Sequence, residues 1–247
     1  GGHIQEGGGR TRGEEGSAMK VYDCEQGSQE WFELRAGIPT SSAFNRIVTP
    51  TGKISSQSEA YMYALIAERI MGRPVDTFIS EWMERGHIME EEAGKYYAFQ
   101  HDCDPQPVGF ITNDDGTIGA SPDRLVGDDG LLEIKAPAAH THVGYLFGKG
   151  ADKKYMPQLQ GQLFITGRKW VDIMSYHPEL PAATIRIERS DSYIEILSDA
   201  VTAFAKELDE KHAEIIERIG ELPVREPRQP EPFAELREAM IAINQGE

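Results

Sequence analysis

Three side chains in one short stretch could do chemistry together: Asp123, which follows Ser121-Pro122, and the pair Glu133 and Lys135, which flank Ile134. Side chains alternate along a strand, so Glu133 and Lys135 share a face while Ile134 points into a core. Between them, Asp128-Asp129-Gly130 reads as a three-residue hairpin loop with glycine in the left-handed position. That loop pairs Gly127 with Leu131, sets Asp123 opposite Lys135 and brings it diagonal to Glu133. A slip of one residue would turn Asp123 to the other face, so the expectation depends on register. Two carboxylates an ion's width apart repel unless a cation separates them, and a hard divalent ion with oxygen ligands is the usual solution. Magnesium fits best, because it needs only a carboxylate or two and the free carbonyl of Ile134, with waters and substrate oxygens in its other positions. Lys135 is then placed to orient or deprotonate an attacking water and to balance an anionic transition state. Taken alone, the same residues also describe a turn aspartate and a strand salt bridge.

The flanking sequence supplies the elements that must hold these groups. Ser28 can cap a short helix carrying Trp31 and Leu34 that ends at Gly37. Thr40 caps a second helix, placing Ser41 and Ser42 in its first turn, where free amides and the helix dipole favour an anion and Arg35 adds charge. Ser56 and Glu59 form a capping box for a helix that passes Leu65 and Ile70 and stops at Gly72. A further helix starts near Ser80 and puts Glu90 on the face of Met83, Gly86, Ala93 and Tyr97, so this carboxylate points inward and needs a partner. Residues 107–112, 117–127 and 131–135 read as a strand meander whose four turn aspartates are turn formers. The next helix runs from near His140 to Phe147; His140 and His142, two apart, do not share a face and carry no chemistry. After a Gly148-Lys149-Gly150 loop suited to DNA contact, a helix begins near Lys154, with Pro157 in its first turn and Gln158 and Gln162 on one face. Strands at 170–176 and 183–188 follow, then a long helix over 193–219 that lays Ile196, Ala200, Phe204 and Leu208 on the sheet.

Composition bounds the rest. A chain of 247 residues, 39% hydrophobic, can bury one sizeable core. Residues 1–18, glycine-rich and aperiodic, have the character of an expression tag and are set aside. Cys24 and Cys103 stand far apart with no metal-ligand spacing, which fits a reducing cytoplasm. No apolar run approaches membrane-spanning length. A net charge of −16 excludes a simple DNA-coating protein, yet Lys149, Lys153, Lys154, Arg168 and Lys169 stand against Asp152 alone between Ala136 and Trp170, a locally basic path on an acidic body. Residues 221–247 are a proline-rich linker and a last amphipathic helix with Phe233, Leu236, Met240 and Ile243, which docks on its own domain or on a neighbouring subunit.

Pro122-Asp123, a hairpin, then Glu133-Ile134-Lys135 between Leu131-Leu132 and Ala136-Pro137 resembles the core of the PD-(D/E)xK nuclease superfamily. Further stretches, in matching order, resemble its lambda-exonuclease-like (YqaJ-type) branch of phage recombination nucleases: Glu25-Gln26-Gly27 to Trp31, Leu34-Arg35 to Thr40-Ser41-Ser42, Gly86 to Glu90 and Ala93, and Tyr155-Met156-Pro157-Gln158 with Gln160. The resemblance runs from about residue 21 to about residue 219. It implies an α/β fold with a restriction-endonuclease-like core, a mixed β-sheet flanked by helices, in a single nuclease domain over 19–220. The activity implied is magnesium-dependent 5′→3′ degradation of linear duplex DNA to 5′-mononucleotides, leaving 3′ single-stranded overhangs for annealing. By resemblance, Asp123, Glu133 and the Ile134 carbonyl hold one ion. Glu90 and Asp123 contribute to a second, with manganese able to substitute. Lys135 and Gln158 handle the water, and Arg35, Ser42 and Ser121 hold the 5′-phosphate. Gln162 stays open, because the family often has an aromatic residue near it. A homotrimer and a phage-type single-strand annealing protein are the implied assembly and partner. Two alternatives stand beside this reading: a restriction-type endonuclease on the same core, which would cut circular DNA internally, and a non-catalytic DNA-end or calcium-binding module, for which Lys135 would serve no purpose.

Overall fold

The computed structural model describes residues 19–75, 81–149 and 151–220, the side chains of 81–88 and 151–152 excepted. In chain order the strands are β1 (Met19–Tyr22), β2 (Gln106–Pro107), β3 (Phe110–Asn113), β4 (Gly119–Ala120), β5 (Arg124–Val126), β6 (Gly130–Lys135), β7 (Trp170–His177) and β8 (Leu180–Glu188). The helices are α1 (Gln29–Arg35), α2 (Ser58–Met71), α3 (Glu81–His101), α4 (Ala139–Leu146), α5 (Ala151–Thr166) and α6 (Asp191–Ile219), with a 3₁₀ turn over Ser41–Arg46. The strands form two sheets, β1-β3-β4 and β2-β5-β6-β7-β8. Every pairing is antiparallel except β6 with β7, whose crossover is made by α4 and α5. The result is a mixed α/β architecture with the helices flanking the sheets.

Alternation along β6 divides the core. Leu131 faces Leu159, Leu163, Val171, Ile173 and Ile194, beneath α5 and α6. Leu132 and Ile134 face Ala93, Tyr97, Met174 and Tyr176, beneath α3. All of these are buried, and burying each large apolar side chain contributes roughly 1.5–3 kcal/mol before chain entropy is set against it. A hydrogen bond to the buried carboxylate of Asp172 ties α3 to the sheet. The Tyr97 hydroxyl donates to Asp172 Oδ2 at 2.6 Å, and the Arg186 guanidinium donates to both Asp172 oxygens at 2.8 and 2.9 Å while lying 3.6 Å over the Trp170 ring.

Several local expectations change. The meander is not one sheet: β3 pairs with β1 on one side and β4 on the other, and the chain crosses at Ser121-Pro122-Asp123 into the larger sheet as β5. β1 itself carries no strong sequence signal and gains its place by pairing with β3. Thr40 does not cap the turn that follows it. The Ser56–Glu59 capping box does not form, because the chain first turns on Ser55, whose Oγ accepts the Gln57 amide at 3.3 Å, and α2 starts at Ser58. Gly72 does close α2, at φ +64°. Pro157 lies inside α5 rather than in its first turn, since α5 already starts at Ala151; the missing N–H leaves the Lys153 carbonyl without its helical partner where the helix is exposed. The buried stripe of α6 is Ile194, Leu197, Val201, Phe204, Ala205 and Leu208, and Ile196 faces out at 47% exposure. The first compact unit ends at His212, within α6. The expectations for Ser80, for the Met83 and Gly86 side chains, for Gly150 and for 221–247 lie outside the described residues.

Candidate active site

The β5–β6 hairpin sets the geometry. Its loop is Gly127-Asp128-Asp129, closed by Val126 opposite Gly130, not Asp128-Asp129-Gly130 closed by Gly127 opposite Leu131. Gly127 is the left-handed residue, at φ +53°. Gly130 is glycine for a different reason, because a Cβ there would come within 2.1 Å of the Trp170 ring. The pairing is displaced by an even number of residues, so Asp123 keeps the expected face but arrives beside Glu133 instead of diagonal to it. The ladder stops at Arg124 opposite Leu132. Beyond that point the Asp123 side chain replaces the strand: the Ile134 amide donates to its Oδ2 at 2.5 Å. In a strand the N–H and C=O of one residue point to the same side, so the Ile134 carbonyl opens towards Asp123.

Glu133 is 3% exposed and held by three donors. Its Oε1 accepts from Lys135 Nζ at 2.6 Å and Gln158 Nε2 at 2.7 Å, and its Oε2 accepts from Gln162 Nε2 at 2.7 Å. Gln158 and Gln162 are one helical turn apart on α5 and reach the carboxylate together. Glu90, on α3, is partly buried, and its charge acts on Asp123. Two features position that helix: the Tyr97–Asp172 bond, and Gly94, where a Cβ would lie 2.3 Å from Arg124 Nε.

The electrostatics follow from this crowding. Burial, then the charges of Glu133 and Glu90, push the Asp123 carboxyl well above its ordinary range, against the smaller opposing pull of Lys135 and the Ile134 amide. Burial disfavours a charged Lys135, yet the carboxylates of Glu133 and Asp123 outweigh it and raise its affinity for a proton. The cluster therefore holds more negative than positive charge, and Lys135 is an ammonium in it. Among the described residues no three His, Cys, Asp or Glu side chains close around a common point. The donor set of Asp123, Glu133 and the Ile134 carbonyl still suits a hard cation that keeps most of its waters, since such an ion needs one or two carboxylates and relieves the repulsion that raises Asp123.

A second cluster forms at the start of the sheet crossing, around Ser121. Arg35 donates to Ser121 Oγ at 3.0 Å and reaches Thr40 Oγ1 at 3.3 Å and Ser42 Oγ at 3.4 Å. Its guanidinium lies 4.0 Å over the Trp31 ring, whose Nε1 also donates to Ser121 Oγ at 3.0 Å. Ser121 Oγ thus accepts twice, which leaves its hydroxyl proton to donate to an anion. Burial lowers the Arg35 pKa to about 10. The cluster is held from behind: Glu68 on α2 accepts the Gly37 amide at 2.8 Å, Arg69 donates to the Gly37 carbonyl at 2.9 Å, and the Thr40 amide donates to the Tyr61 hydroxyl at 3.3 Å. Gln26 Nε2 donates to the carbonyls of Val108 and Pro122, at 2.8 and 2.9 Å, and fixes the crossing itself.

The structure brings Asp123, Glu133, Ile134, Lys135 and Gln158 together with Glu90 near them, and gathers Arg35, Ser42 and Ser121 into one pocket. It adds Gln162, whose spacing from Gln158 was the available signal, and Trp31 and Thr40, which no spacing rule ties to Ser121. Two members of the expected basic path have partners in the hairpin. Arg168 donates to the carbonyls of Gly127 and Gly130 at 2.7 Å and clamps the hairpin, and Lys169 pairs with Asp129 at 3.0 Å. Both are drawn there because the turn presents free carbonyls and an aspartate. Lys149, Lys153 and Lys154 are exposed. His142, buried, is bonded to Ser175 Oγ at 2.7 Å and the Pro181 carbonyl at 2.9 Å, as a structural residue should be.

Residues 30–169 match the model of the YqaJ-like viral recombinase domain. Among solved structures, the alkaline exonuclease LHK-Exo from Laribacter hongkongensis aligns at 35% identity and a TM-score of 0.69 over 78% of this chain and 98% of its own. The same protein in complex with dAMP gives 35% identity and a TM-score of 0.68 over the same shares, 78% and 98%. A phage-related exonuclease from Haemophilus somnus 129PT shares the fold at 14% identity and a TM-score of 0.58, over 72% of this chain and 96% of that one. No curated protein matches the chain. With the Pro-Asp, Glu-Ile-Lys core assembled on a mixed sheet and with these likenesses spanning most of its length, the chain belongs to the YqaJ-like viral recombinase domain family.

Proposed function

We propose that this protein is a magnesium-dependent exonuclease that degrades linear duplex DNA from its 5′ ends, releases 5′-mononucleotides and leaves 3′ overhangs for strand annealing. One observation carries the reading. Ser121, in the Arg35 pocket, and Asp123, in the carboxylate cluster, are two residues apart on one crossing segment and so at most about 7 Å apart along the chain. That is on the order of the distance between neighbouring phosphates of one strand. A terminal phosphate seated on Arg35, Ser42 and Ser121 puts the next phosphodiester at the carboxylates.

Asp123, Glu133 and the Ile134 carbonyl would hold one divalent ion, and Glu90 with Asp123 would contribute to a second; manganese could replace magnesium. Bound there, the metal supplies Lewis-acid activation of water and stabilisation of phosphate charge. The chain's own groups do the rest. Gln158, fixed to Glu133 by its amide nitrogen, turns its carbonyl oxygen to orient the water. The Lys135 ammonium offsets the charge that builds on the phosphate oxygens. Water adds to phosphorus and the bond to the 3′ oxygen breaks, so the mononucleotide leaves with its 5′-phosphate and a 3′-hydroxyl. The new end also carries a 5′-phosphate, and the pocket meets the same group at every turn.

In this reading the protein works in the cytoplasm as a homotrimer and hands the 3′ strand to a phage-type single-strand annealing protein. Membership of a viral recombinase family supports the partner, and the solution mass tests the trimer. The activity is tested with magnesium on linear 5′-phosphorylated duplex and on the same sequence as closed circle. Mononucleotides from the linear form alone are expected, with no product in chelator. Defined internal cuts in the circle would instead make it a restriction-type endonuclease.

A further inference from the structure

Tyr155 stands inside the site and has no part in the chemistry described above. It lies three residues before Gln158 on α5, on the helix face that meets β6. Lys135 Nζ sits over its ring, 5.0 Å from the centre. The ring is itself fixed. It packs against the core cluster of Leu131, Leu159 and Leu163, and its hydroxyl is hydrogen-bonded to that of Tyr145, a buried residue of α4. A line of contacts therefore runs from the core through Tyr145 and Tyr155 to the ammonium.

An aromatic face attracts a cation, most strongly where water is withdrawn, and the Lys135 side chain is only 25% exposed. Lys154 Nζ lies at the same 5.0 Å from the ring, but that side chain is exposed and solvated, so the ring matters less to it. A lysine has a long flexible stem that must be held if its charge is to act at one place. The bond from Lys135 to Glu133 is one between charges, and the phosphate that Lys135 serves competes for the same ammonium. The ring bears no net charge, so its hold persists as the ammonium turns from carboxylate to phosphate. We infer that Tyr155 is a positioning residue whose ring face keeps the Lys135 ammonium where it can reach the phosphate being cut. The inference rests on the nuclease reading above and adds the residue that places its lysine.

The test compares the unmodified chain with Tyr155→Phe, which keeps the ring, and Tyr155→Leu, which keeps an apolar side chain without one. The first readout is NMR of the metal-free protein. The methylene protons next to the Lys135 ammonium, assigned by their loss in Lys135→Ala, should resonate upfield of ordinary lysine in the unmodified chain and in Tyr155→Phe, and return to the ordinary position in Tyr155→Leu. The second is steady-state digestion of linear duplex with magnesium. Tyr155→Leu should lose roughly two- to thirtyfold in kcat, the worth of one cation–π contact between partial and full desolvation, with KM for DNA ends unchanged. Tyr155→Phe should keep the unmodified kcat. Should the leucine variant not fold, Tyr155→Met is read in its place. An unshifted Lys135 signal in the unmodified chain, equal kcat in the phenylalanine and leucine variants, or a rise in KM alongside the fall in kcat would overturn the inference and leave the nuclease reading intact. Absence of cleavage by the unmodified chain, with the upfield signal present, would overturn the nuclease reading and with it the role of Tyr155.

Discussion

Replacing Arg35 by alanine should erase the enzyme's preference for phosphorylated ends, and the structure sets the size of that loss. The guanidinium is stacked on Trp31, anchored on Ser121 and within reach of Thr40 and Ser42, so it is already in the conformation that would receive a phosphate. Hydrogen bonds to charged groups contribute about 1.5–3 kcal/mol, which converts to roughly ten- to a hundredfold in binding. The unmodified protein should therefore begin on a 5′-phosphate duplex about ten to a hundred times faster than on a 5′-hydroxyl duplex. Because each cut regenerates a 5′-phosphate, the hydroxyl substrate should show a lag confined to its first nucleotide and then run at the ordinary rate. Arg35→Ala should remove the difference and be slow on both throughout. Arg35→Lys, which keeps a charge but not the fork, should fall between. The assay is rapid-quench release of the first labelled nucleotide from each substrate by each protein. If the unmodified protein releases it equally fast from both ends, Arg35, Ser42 and Ser121 only join α1 to the sheet crossing and the end-reading mechanism is wrong.

Other consequences are as direct. Arg35 is a cation whose free-enzyme pKa burial lowers to about 10, so phosphate-end preference should be full below that pH and decline as pH rises through it; a preference unchanged to pH 11 would contradict the assignment. Lys135→Ala should abolish cleavage and leave end binding, measured by fluorescence anisotropy, nearly unchanged, because its ammonium sits on Glu133 and not in the phosphate pocket; a parallel loss of binding would make it a phosphate contact. Gly161→Ala would put a Cβ 2.5 Å from the Phe44 ring, and overpacking of this kind is expected to lower stability by about 1–3 kcal/mol in chemical denaturation. A Phe44→Leu background should recover part of that loss. Arg186→Met should destabilise by about 1–3 kcal/mol in chemical denaturation, since the buried Asp172 keeps the Tyr97 hydroxyl but loses both guanidinium hydrogen bonds; an unchanged midpoint would mean that this pair contributes nothing to stability.

Local chemistry was legible in the sequence wherever it is local in space. The Glu133-Ile134-Lys135 alternation, the α1 cap at Ser28, the left-handed stop at Gly72 and the inward face of Ala93 and Tyr97 each follow from a few neighbouring residues, and each is found. Arg35, Ser42 and Ser121 could be joined on paper only through family resemblance, because α1, the 3₁₀ turn and the sheet crossing meet in space and not along the chain. The hairpin shows where sequence stops. Gly127 and Gly130 are both glycines at a turn, and only the Trp170 ring pressed against the second reveals that the first makes the left-handed bend. Arg168 and Lys169 read in sequence only as part of a basic path, and the fold alone shows the carbonyls and the aspartate of that same hairpin within their reach. The same holds for Gln162. Helical spacing placed it beside Gln158, but α5 had to pack on β6 before its amide could meet Glu133 Oε2. A glutamine's role is fixed by the group that its donor finds, and that group lies 29 residues away.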